Sequence, residues 1–307
     1  MQINTTSLLS SDQKLNLCLR QYLCEAPKGI LILVHGMSEC KERYDDFAKF
    51  LCEHHYHVFI ADLRGHGESV LSFDDFGYFY NQDGQALVED LYQIVTHLKK
   101  QYPNLPCLLF THSMGTLIGQ CFLKKYANEI NGITFCGQPC KNPLATPGLL
   151  LAKIIQSIKG DHYRSNLLQN MAITPYDKKI EGTHKNRWLS HDLEVVKAYN
   201  ENDKCGFIFT TNGFINLLTL IKKTYKKEES NHNENIPIFM IAGEKDPVIG
   251  NRKKFEEEIS FLKMIGYKNI KSKLYKDLYH EILNEYGHEL IYQDILCFYD
   301  EIIKNNP

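Results

Sequence analysis

Short apolar runs alternate with amphipathic segments along most of the chain. Six of these runs predict β-strands. They span residues 29–36, 56–65, 106–113, 130–138, 236–246 and 270–278. The segments between them carry apolar residues at helical spacing, for example Leu87, Leu91 and Leu98. This alternation predicts a mostly parallel sheet whose strands are joined by crossover helices. The first 28 residues instead predict an antiparallel hairpin at the sheet edge, with its turn near Asp12 and Gln13.

The rhythm of strands and helices stops between residues 139 and 235. Pro139, Pro143 and Pro147 open this stretch, which has helical but no clear strand character, and a polar run at 226–235 closes it. We therefore predict a core formed by residues 1–138 and 236–307, with a helical cap inserted at 139–235. The apolar cap segment GLLLAKIIQSI favours a helix packed over the core. Transient contact of this segment with a membrane or micelle surface is the alternative.

Bulk composition adds limits on partners and location. The 307 residues are 43% hydrophobic and 23% charged with a formal net charge of −2, so nucleic acid is not an expected partner. The chain shows neither a secretory signal nor a run of apolar residues long enough to span a membrane. Its ten cysteines are scattered singly without a C-x-x-C pair. We expect a cytoplasmic protein with reduced thiols; composition leaves the oligomeric state open.

The segment FTHSMGT places Ser113 where a predicted strand becomes a predicted helix. This is the context of a nucleophile elbow, in which a sharp turn lifts the serine hydroxyl clear of the sheet. The usual signature is Gly-x-Ser-x-Gly; here Thr111 replaces the first glycine and Gly115 keeps the second. Because a modest β-branched side chain suits a strand end, we expect Thr111 to be compatible with a working elbow.

A serine nucleophile requires a histidine to accept its proton and a carboxylate to orient that histidine. Asp246 and His280 each follow a predicted strand, at the end of a parallel sheet where functional residues gather. The chain order Ser, Asp, His is that of hydrolases with a nucleophile elbow. Asp277 falls at the edge of a predicted strand and Asp203 falls in the predicted cap, so both are weaker candidates for the acid.

Acyl transfer also needs two backbone N–H groups directed at the developing oxyanion. The elbow predicts Met114 as one donor, and the loop after the strand at 29–36 predicts Met37 as the other. The glycine-rich loop at 61–69 matches neither a P-loop nor a dinucleotide fingerprint, so we interpret it as structural. Neither a cofactor nor a metal is expected.

Five segments together resemble the α/β-hydrolases of the monoacylglycerol lipase and lysophospholipase group, which are serine aminopeptidase-like hydrolases. The segments are LVHGMSECKERYDDFAKFL, ADLRGHGES, THSMG, GEKDPV and YHEIL. The resemblance implies an α/β-hydrolase fold, a mostly parallel sheet with helices on both faces and an inserted helical cap. It also implies a triad and an oxyanion hole, formed by Ser113, Asp246 and His280 and by Met37 and Met114. The sequence departs from the group's pattern at Ser38, Cys40, Thr111 and Thr116.

The resemblance implies a serine carboxylic ester hydrolase that cleaves lipid-like monoesters, either monoacylglycerol or lysophospholipid, through an acyl-enzyme. Two alternatives stay open. An aminopeptidase on the same fold would need a cap carboxylate to hold the substrate's ammonium group, for which Glu181, Glu194 and Glu201 are candidates. A non-catalytic binding protein on this scaffold would commonly lack a triad member, and here all three are present.

Overall fold

The computed structural model describes residues 1–227 and 233–305. Its strands form one sheet in the order β1-β2-β4-β3-β5-β6-β7-β8. They are β1 (Gln2–Leu9), β2 (Asn16–Leu23), β3 (Gly29–Val34), β4 (Tyr56–Ala61), β5 (Cys107–His112), β6 (Gly132–Cys136), β7 (Ile238–Gly243) and β8 (Ile270–Tyr275). The pairs β1–β2 and β2–β4 are antiparallel and the other pairs are parallel. The predicted edge hairpin and the mostly parallel sheet are both confirmed.

Helices cover both faces of this sheet. They are α1 (Asp45–Glu53), α2 (Gln85–Gln101), α3 (Met114–Tyr126), α4 (Ala145–Lys159), α5 (Asn166–Ala172), α6 (Thr174–Asp177), α7 (Leu193–Glu201), α8 (Thr211–Thr224), α9 (Arg252–Met264) and α10 (His288–Asn305). Successive residues of β3 alternate between two apolar clusters: Ile30 and Ile32 join α2 and α3 on one face, whereas Leu31 and Leu33 join α1 and α10 on the other. Two covered faces explain why the central strands are continuous apolar runs.

Helices α4 to α8 lie between β6 and β7 in the chain, which we call the insertion. Helix α8 packs against α3 and α4, and its N-cap residue is Thr210, whose hydroxyl accepts a hydrogen bond from the Gly213 amide. The proposed division into core and cap stays a prediction. Part of the predicted closing linker, residues 228–232, lies outside the described residues. Within the part of the chain that the structure covers, no helix is long and apolar enough to cross a membrane.

Candidate active site

The elbow lies between the end of β5 and the start of α3. Ser113 has φ 50° and ψ −119°, a conformation that L-residues adopt only when their surroundings impose it. Its amide donates to the Cys136 carbonyl at 3.0 Å, and its carbonyl accepts from the Thr116 amide at 2.9 Å and from the Thr116 hydroxyl at 2.6 Å. These bonds hold the turn, so the half-buried Ser113 side chain faces a cavity.

Small residues allow three chain segments to meet at the elbow. A Cβ on Gly115 would lie 2.5 Å from the Val34 carbonyl oxygen, so α3 could not approach β3 so closely with any larger residue. A Cβ on Gly36 would lie 2.9 Å from the Cβ of Ser113, which shows how closely the loop after β3 passes the serine. Both positions therefore require glycine because of close packing.

Thr111 replaces the first glycine of the signature without crowding the turn. The side chain is fully buried, and its hydroxyl donates to the Thr134 carbonyl of the neighbouring strand at 2.9 Å. Its methyl group packs against Gly119 of α3, where a Cβ would come within 2.9 Å of it. The absence of a side chain at Gly119 thus provides the space that the threonine occupies.

The residues predicted as base and acid are in direct contact. His280 Nδ1 lies 2.8 Å from Asp246 Oδ2, and both side chains are buried. The other carboxylate oxygen, Oδ1, accepts the Val248 amide at 2.8 Å. Gly137, with φ +62°, passes so close that a Cβ there would lie 3.0 Å from the imidazole ring. The aspartate is therefore fixed from two sides and can hold one orientation of the histidine.

The structure does not bring the two weaker acid candidates to this histidine. Asp277 is more than half exposed and forms an ion pair with Lys245 at 2.9 Å on the surface. Asp203 is exposed in the loop between α7 and α8. Of the three aspartates considered, Asp246 alone contacts His280.

The two predicted oxyanion donors line the same cavity as Ser113 and His280. Met114 is the first residue of α3, where helix amides have no partner within the helix. Met37 lies in the loop that follows β3. Within residues 1–227 and 233–305, neither amide donates a hydrogen bond and the Ser113 hydroxyl has no partner. Both N–H groups are thus available to an oxygen atom of a bound substrate.

A buried charge network lies beneath this loop, and the sequence interpretation did not single it out. Glu39 accepts hydrogen bonds from the Gly36 amide, from the Tyr44 hydroxyl at 3.0 Å and from Arg43 at 3.1 Å, and its oxygen lies 3.2 Å from His112 Nδ1. Burial alone would raise the pKa of Glu39, but the hydrogen bond and charge of His112 and the charge of Arg43 lower it. An ionised Glu39 therefore holds Gly36, the residue before Met37.

The same network reaches the loop that carries His280, which we call the histidine loop. The Arg43 guanidinium donates to both carboxylate oxygens of Glu281, the residue after His280. Burial alone would lower the pKa of His112, but the hydrogen bond and charge of Glu39 outweigh it and raise that pKa. His112 Nε2 lies 3.4 Å from the His280 carbonyl oxygen. The network thus links the two loops that carry the predicted donor Met37 and the predicted base. Its signal in the sequence was the pair of opposite charges four residues apart in HGMSECKERY.

A second buried carboxylate ties the insertion to the histidine loop. Glu285 accepts from the amides of Tyr279 and His191, both at 2.9 Å, and from the Ser190 hydroxyl at 3.1 Å. Next to it, the His280 amide donates to the Trp188 carbonyl at 3.4 Å. These bonds bring the Trp188 ring to 5.0 Å from the His280 ring, measured between centroids.

The cavity above the elbow measures about 270 Å³ and has two chemically different walls. The apolar wall is built by α3, α5 and α8, and its residues include Leu117, Leu168, Phe214, Leu217, Leu218 and Ile221. The more polar wall contains Tyr176, Lys185, Asn186, Trp188 and Tyr199. Such a cavity, apolar with a few convergent polar groups, is typical of a small-molecule site.

Comparisons with known proteins agree with this fold. The family described as serine aminopeptidase, S33 matches residues 25–287. Monoacylglycerol lipase of Mycolicibacterium smegmatis is 24% identical over 272 residues, which are 88% of this chain and 87% of the relative. Human monoglyceride lipase is 24% identical over 278 residues, which are 86% of this chain and 81% of the relative.

Solved structures show the same architecture. A thermostable carboxyl esterase from Bacillus coagulans superposes with a TM-score of 0.88 at 24% identity and covers 99% of each chain. The monoacylglycerol lipase of Paleococcus ferrophilus superposes with a TM-score of 0.68 at 20% identity and covers 94% of this chain and 98% of its own. At these identities the likeness establishes the fold.

Proposed function

Because the chain belongs to the serine aminopeptidase S33 family of α/β-hydrolases, we propose that it cleaves lipid-like monoesters, monoacylglycerol or lysophospholipid, through an acyl-enzyme. The observation that carries this proposal is one cavity in which a strained serine, a buried His–Asp pair and two amides without a partner among the described residues meet an apolar wall. Each of these groups is one that ester hydrolysis uses.

In the proposed reaction, Ser113 Oγ attacks the ester carbonyl while His280 Nε2 takes the hydroxyl proton. The Met37 and Met114 amides stabilise the oxyanion of the tetrahedral intermediate. Asp246 keeps the Nδ1 proton of His280 in place and stabilises the imidazolium that forms. As the intermediate collapses, His280 gives its proton to the leaving alcohol oxygen, and the acyl group remains on Ser113. Water then repeats the sequence and releases the fatty acid.

The walls of the cavity favour an acyl chain over a peptide. The apolar side chains of the lining can bury methylene groups, each worth up to about 0.8 kcal/mol. An aminopeptidase would instead need an unpaired carboxylate for the substrate ammonium. The candidates Glu181, Glu194 and Glu201 are exposed and do not line the cavity. The carboxylates that do line it, Glu39 and Glu281, are both paired with Arg43.

The proposal is tested with Ser113→Ala and the matched surface control Ser260→Ala. We expect Ser113→Ala to lose both ester hydrolysis and covalent labelling by a fluorophosphonate, and Ser260→Ala to keep both. The wild-type protein should show kcat/KM rising at least tenfold from C2 to longer p-nitrophenyl esters and should hydrolyse monoacylglycerols faster than aminoacyl p-nitroanilides. Labelling that persists in Ser113→Ala, or faster anilide turnover, would overturn the proposal.

The outer surface of α4 supports the further proposal that the protein takes its substrate from a lipid surface. Leu150, Ile154 and Ile158, which we call the α4 stripe, are 62%, 49% and 72% exposed. The same helix also carries Lys153 and Lys159, both exposed and, within the described residues, without an ion pair. An apolar helix face flanked by cations is typical of contact with anionic lipid.

A further inference from the structure

The sheet ends in two edge strands of different character, β1 and β8. An edge strand exposes a row of backbone N–H and C=O groups, and proteins commonly protect such edges with charged side chains. β8 carries Lys271 and Lys273, which pair with Glu301 and Asp294 of α10. β1, with the sequence QINTTSLL, has neither a charged residue nor a proline, and six of its eight residues are exposed. Within residues 1–227 and 233–305, no strand pairs with the outer side of β1.

The hairpin determines which residues of β1 direct their backbone groups outward. The Ser10 amide donates to the Leu15 carbonyl at 2.8 Å, in the same register that pairs Leu9 with Asn16. Because hydrogen-bonded pairs alternate along an antiparallel ladder, the even-numbered residues of β1 bind β2 and the odd-numbered residues point their N–H and C=O groups away from it. Gln93 of α2 agrees with this assignment, since its side chain donates to the outward Leu9 carbonyl at 2.6 Å.

The side chains of β1 match those of a second copy in one antiparallel register. A two-fold axis at Thr6 places Ile3 of each copy opposite Leu9 of the other. Thr5 then lies opposite Ser7, and the two Thr6 side chains face each other, which are favourable cross-strand pairs. Ile3 and Leu9 are 46% and 44% exposed, and this register gives each of them an apolar neighbour. A shift by two residues keeps the odd-numbered backbone groups aligned but separates this apolar pair.

We propose that β1 is a homodimer interface, in which two copies of the chain join their sheets edge to edge through an antiparallel pair of β1 strands. The inference is independent of the proposed function. β1 runs in the same direction as β4 and the other parallel strands, so the two elbows lie at opposite edges of the joined sheet and each copy keeps a complete site. A single strand pair buries less surface than the roughly 1,200–2,000 Å² of stable interfaces, so the dimer should be reversible, with a dissociation constant in the micromolar range.

Sedimentation equilibrium of the tag-free protein tests for this dimer. Between about 1 and 200 μM, the mean mass should rise from that of one chain towards that of two. Ile3→Lys removes the apolar contact from both symmetric pairs and should weaken the dimer about tenfold or more. Leu290→Lys changes an exposed apolar residue of α10 and is the matched control, which should leave the dissociation constant unchanged. Urea unfolding establishes that both variants keep the fold.

The register is tested with Thr6→Cys, because the two substituted positions would face each other at the two-fold axis. Their Cα atoms would lie about 4.5 Å apart, within the range of a disulfide. Oxidation with copper phenanthroline should therefore cross-link this variant into a covalent dimer. Asn4→Cys lies on the same face of β1 and is the matched control, since its two copies would be four residues, or about 14 Å, apart along the strands. The wild-type protein measures cross-linking through the native cysteines.

Three results would overturn the proposal. They are a mass that stays at one chain up to the highest concentration, a dimer that Ile3→Lys and Leu290→Lys weaken equally, and cross-linking of Asn4→Cys to the same extent as Thr6→Cys.

Discussion

The floor and the roof of the cavity differ in whether their charged side chains are buried and paired or exposed and unpaired. The floor consists of the loops that carry Ser113, Asp246 and His280, and the charged side chains that line the cavity on this side are buried and paired, as Glu39 and Glu281 are with Arg43. The roof is the insertion, which presents to solvent the exposed α4 stripe together with Lys153 and Lys159, two lysines that form no ion pair in the part of the chain that the structure describes. A paired, buried network fixes geometry at the cost of adaptability. An unpaired surface keeps its interactions available for a ligand.

This difference predicts which property of the protein a substitution in each region should change. Changes in the floor should affect the chemical step or the stability of the fold, because neighbouring groups depend on each side chain. Changes in the roof should affect which substrate is bound and from where. The Glu285 carboxylate is one contact at which the two meet, since it binds Ser190 and His191 of the insertion and Tyr279 of the floor.

The largest effect is expected in the floor, at Asp246. Asp246→Asn should lower kcat on the order of 10³-fold or more, because the amide cannot hold the same tautomer of His280 or stabilise its cation. The measurement is kcat for a soluble p-nitrophenyl ester together with urea unfolding to show that the fold persists. Asp277→Asn is the matched control, and its exposed ion pair with Lys245 predicts activity close to wild type. A larger loss at Asp277 would show that the acid is wrongly assigned.

Glu258 of α9, next to the floor, differs from these paired charges because it is a buried carboxyl that forms no ion pair with any described residue. It accepts from the Lys141 amide at 3.1 Å and from Gln138 Nε2 at 3.4 Å, at the point where the chain leaves β6 for the insertion. Burial raises its pKa to about 7. The folded protein therefore binds more protons than the unfolded chain between about pH 4.5 and 7. The stability that this carboxyl contributes is full below pH 4.5 and is lost as pH rises through 7.

Glu258→Gln should remove this pH dependence. The neutral side chain carries no ionisation penalty, so the variant should gain stability relative to wild type as pH rises, by about 2–3 kcal/mol at pH 8. Urea unfolding at pH 5, 6, 7 and 8 measures the difference. Glu257→Gln, its exposed neighbour paired with Lys254, serves as the control and should follow the wild-type curve. Parallel curves for Glu258→Gln and wild type would contradict the prediction.

The α4 stripe provides the corresponding test of the roof. Replacing Leu150, Ile154 and Ile158 together by Gln should lower binding to anionic vesicles at least tenfold, on the order of 2 kcal/mol, because their apolar surface would no longer enter the lipid. Sedimentation with vesicles measures binding, and the loss of activity on vesicle-borne substrate should exceed the loss on a soluble ester. Leu290→Gln changes an equally exposed residue of α10 and controls for general loss of surface apolarity. Equal losses on both substrates would argue against lipid contact.

The floor was easier to predict from the sequence than the roof. Ser113, Asp246 and His280 could be proposed because acyl transfer demands few residue types and a parallel sheet places them at strand ends. Their roles stay predictions, although the structure brings Asp246 to His280. The network between Arg43 and Glu281 could not be foreseen, because 238 residues separate its partners and no local pattern connects them.

The sequence predicted that the roof is helical. It did not predict which faces of those helices are exposed. The segment GLLLAKIIQSI is apolar on nearly all sides of its helix, so the spacing of its apolar residues does not identify the side that faces solvent. The structure buries Leu149 and Ala152 and exposes Leu150 and Ile154. Likewise, the contact of Trp188 with His280 depends on how a long insertion folds back over the sheet. Tertiary packing decides both features, and propensity does not encode them.

The smallest effect is expected at Thr111, which lies two residues before Ser113 in the chain and takes no part in the proposed reaction. Thr111→Gly should keep kcat/KM within about threefold, because the turn at Ser113 is held by Cys136 and Thr116 and not by this side chain. Loss of the bond to Thr134 and the added freedom of glycine in a strand should cost about 1–2 kcal/mol of stability. Thr111→Val keeps the shape and loses only the hydroxyl, so it should cost less, about 1 kcal/mol. The urea midpoint of each variant measures its loss of stability, and kcat/KM for a soluble ester measures its loss of activity. A loss of activity beyond tenfold with the fold intact in both variants would show that the threonine hydroxyl acts on the elbow itself, and the floor would then depend on side chains beyond its paired charges.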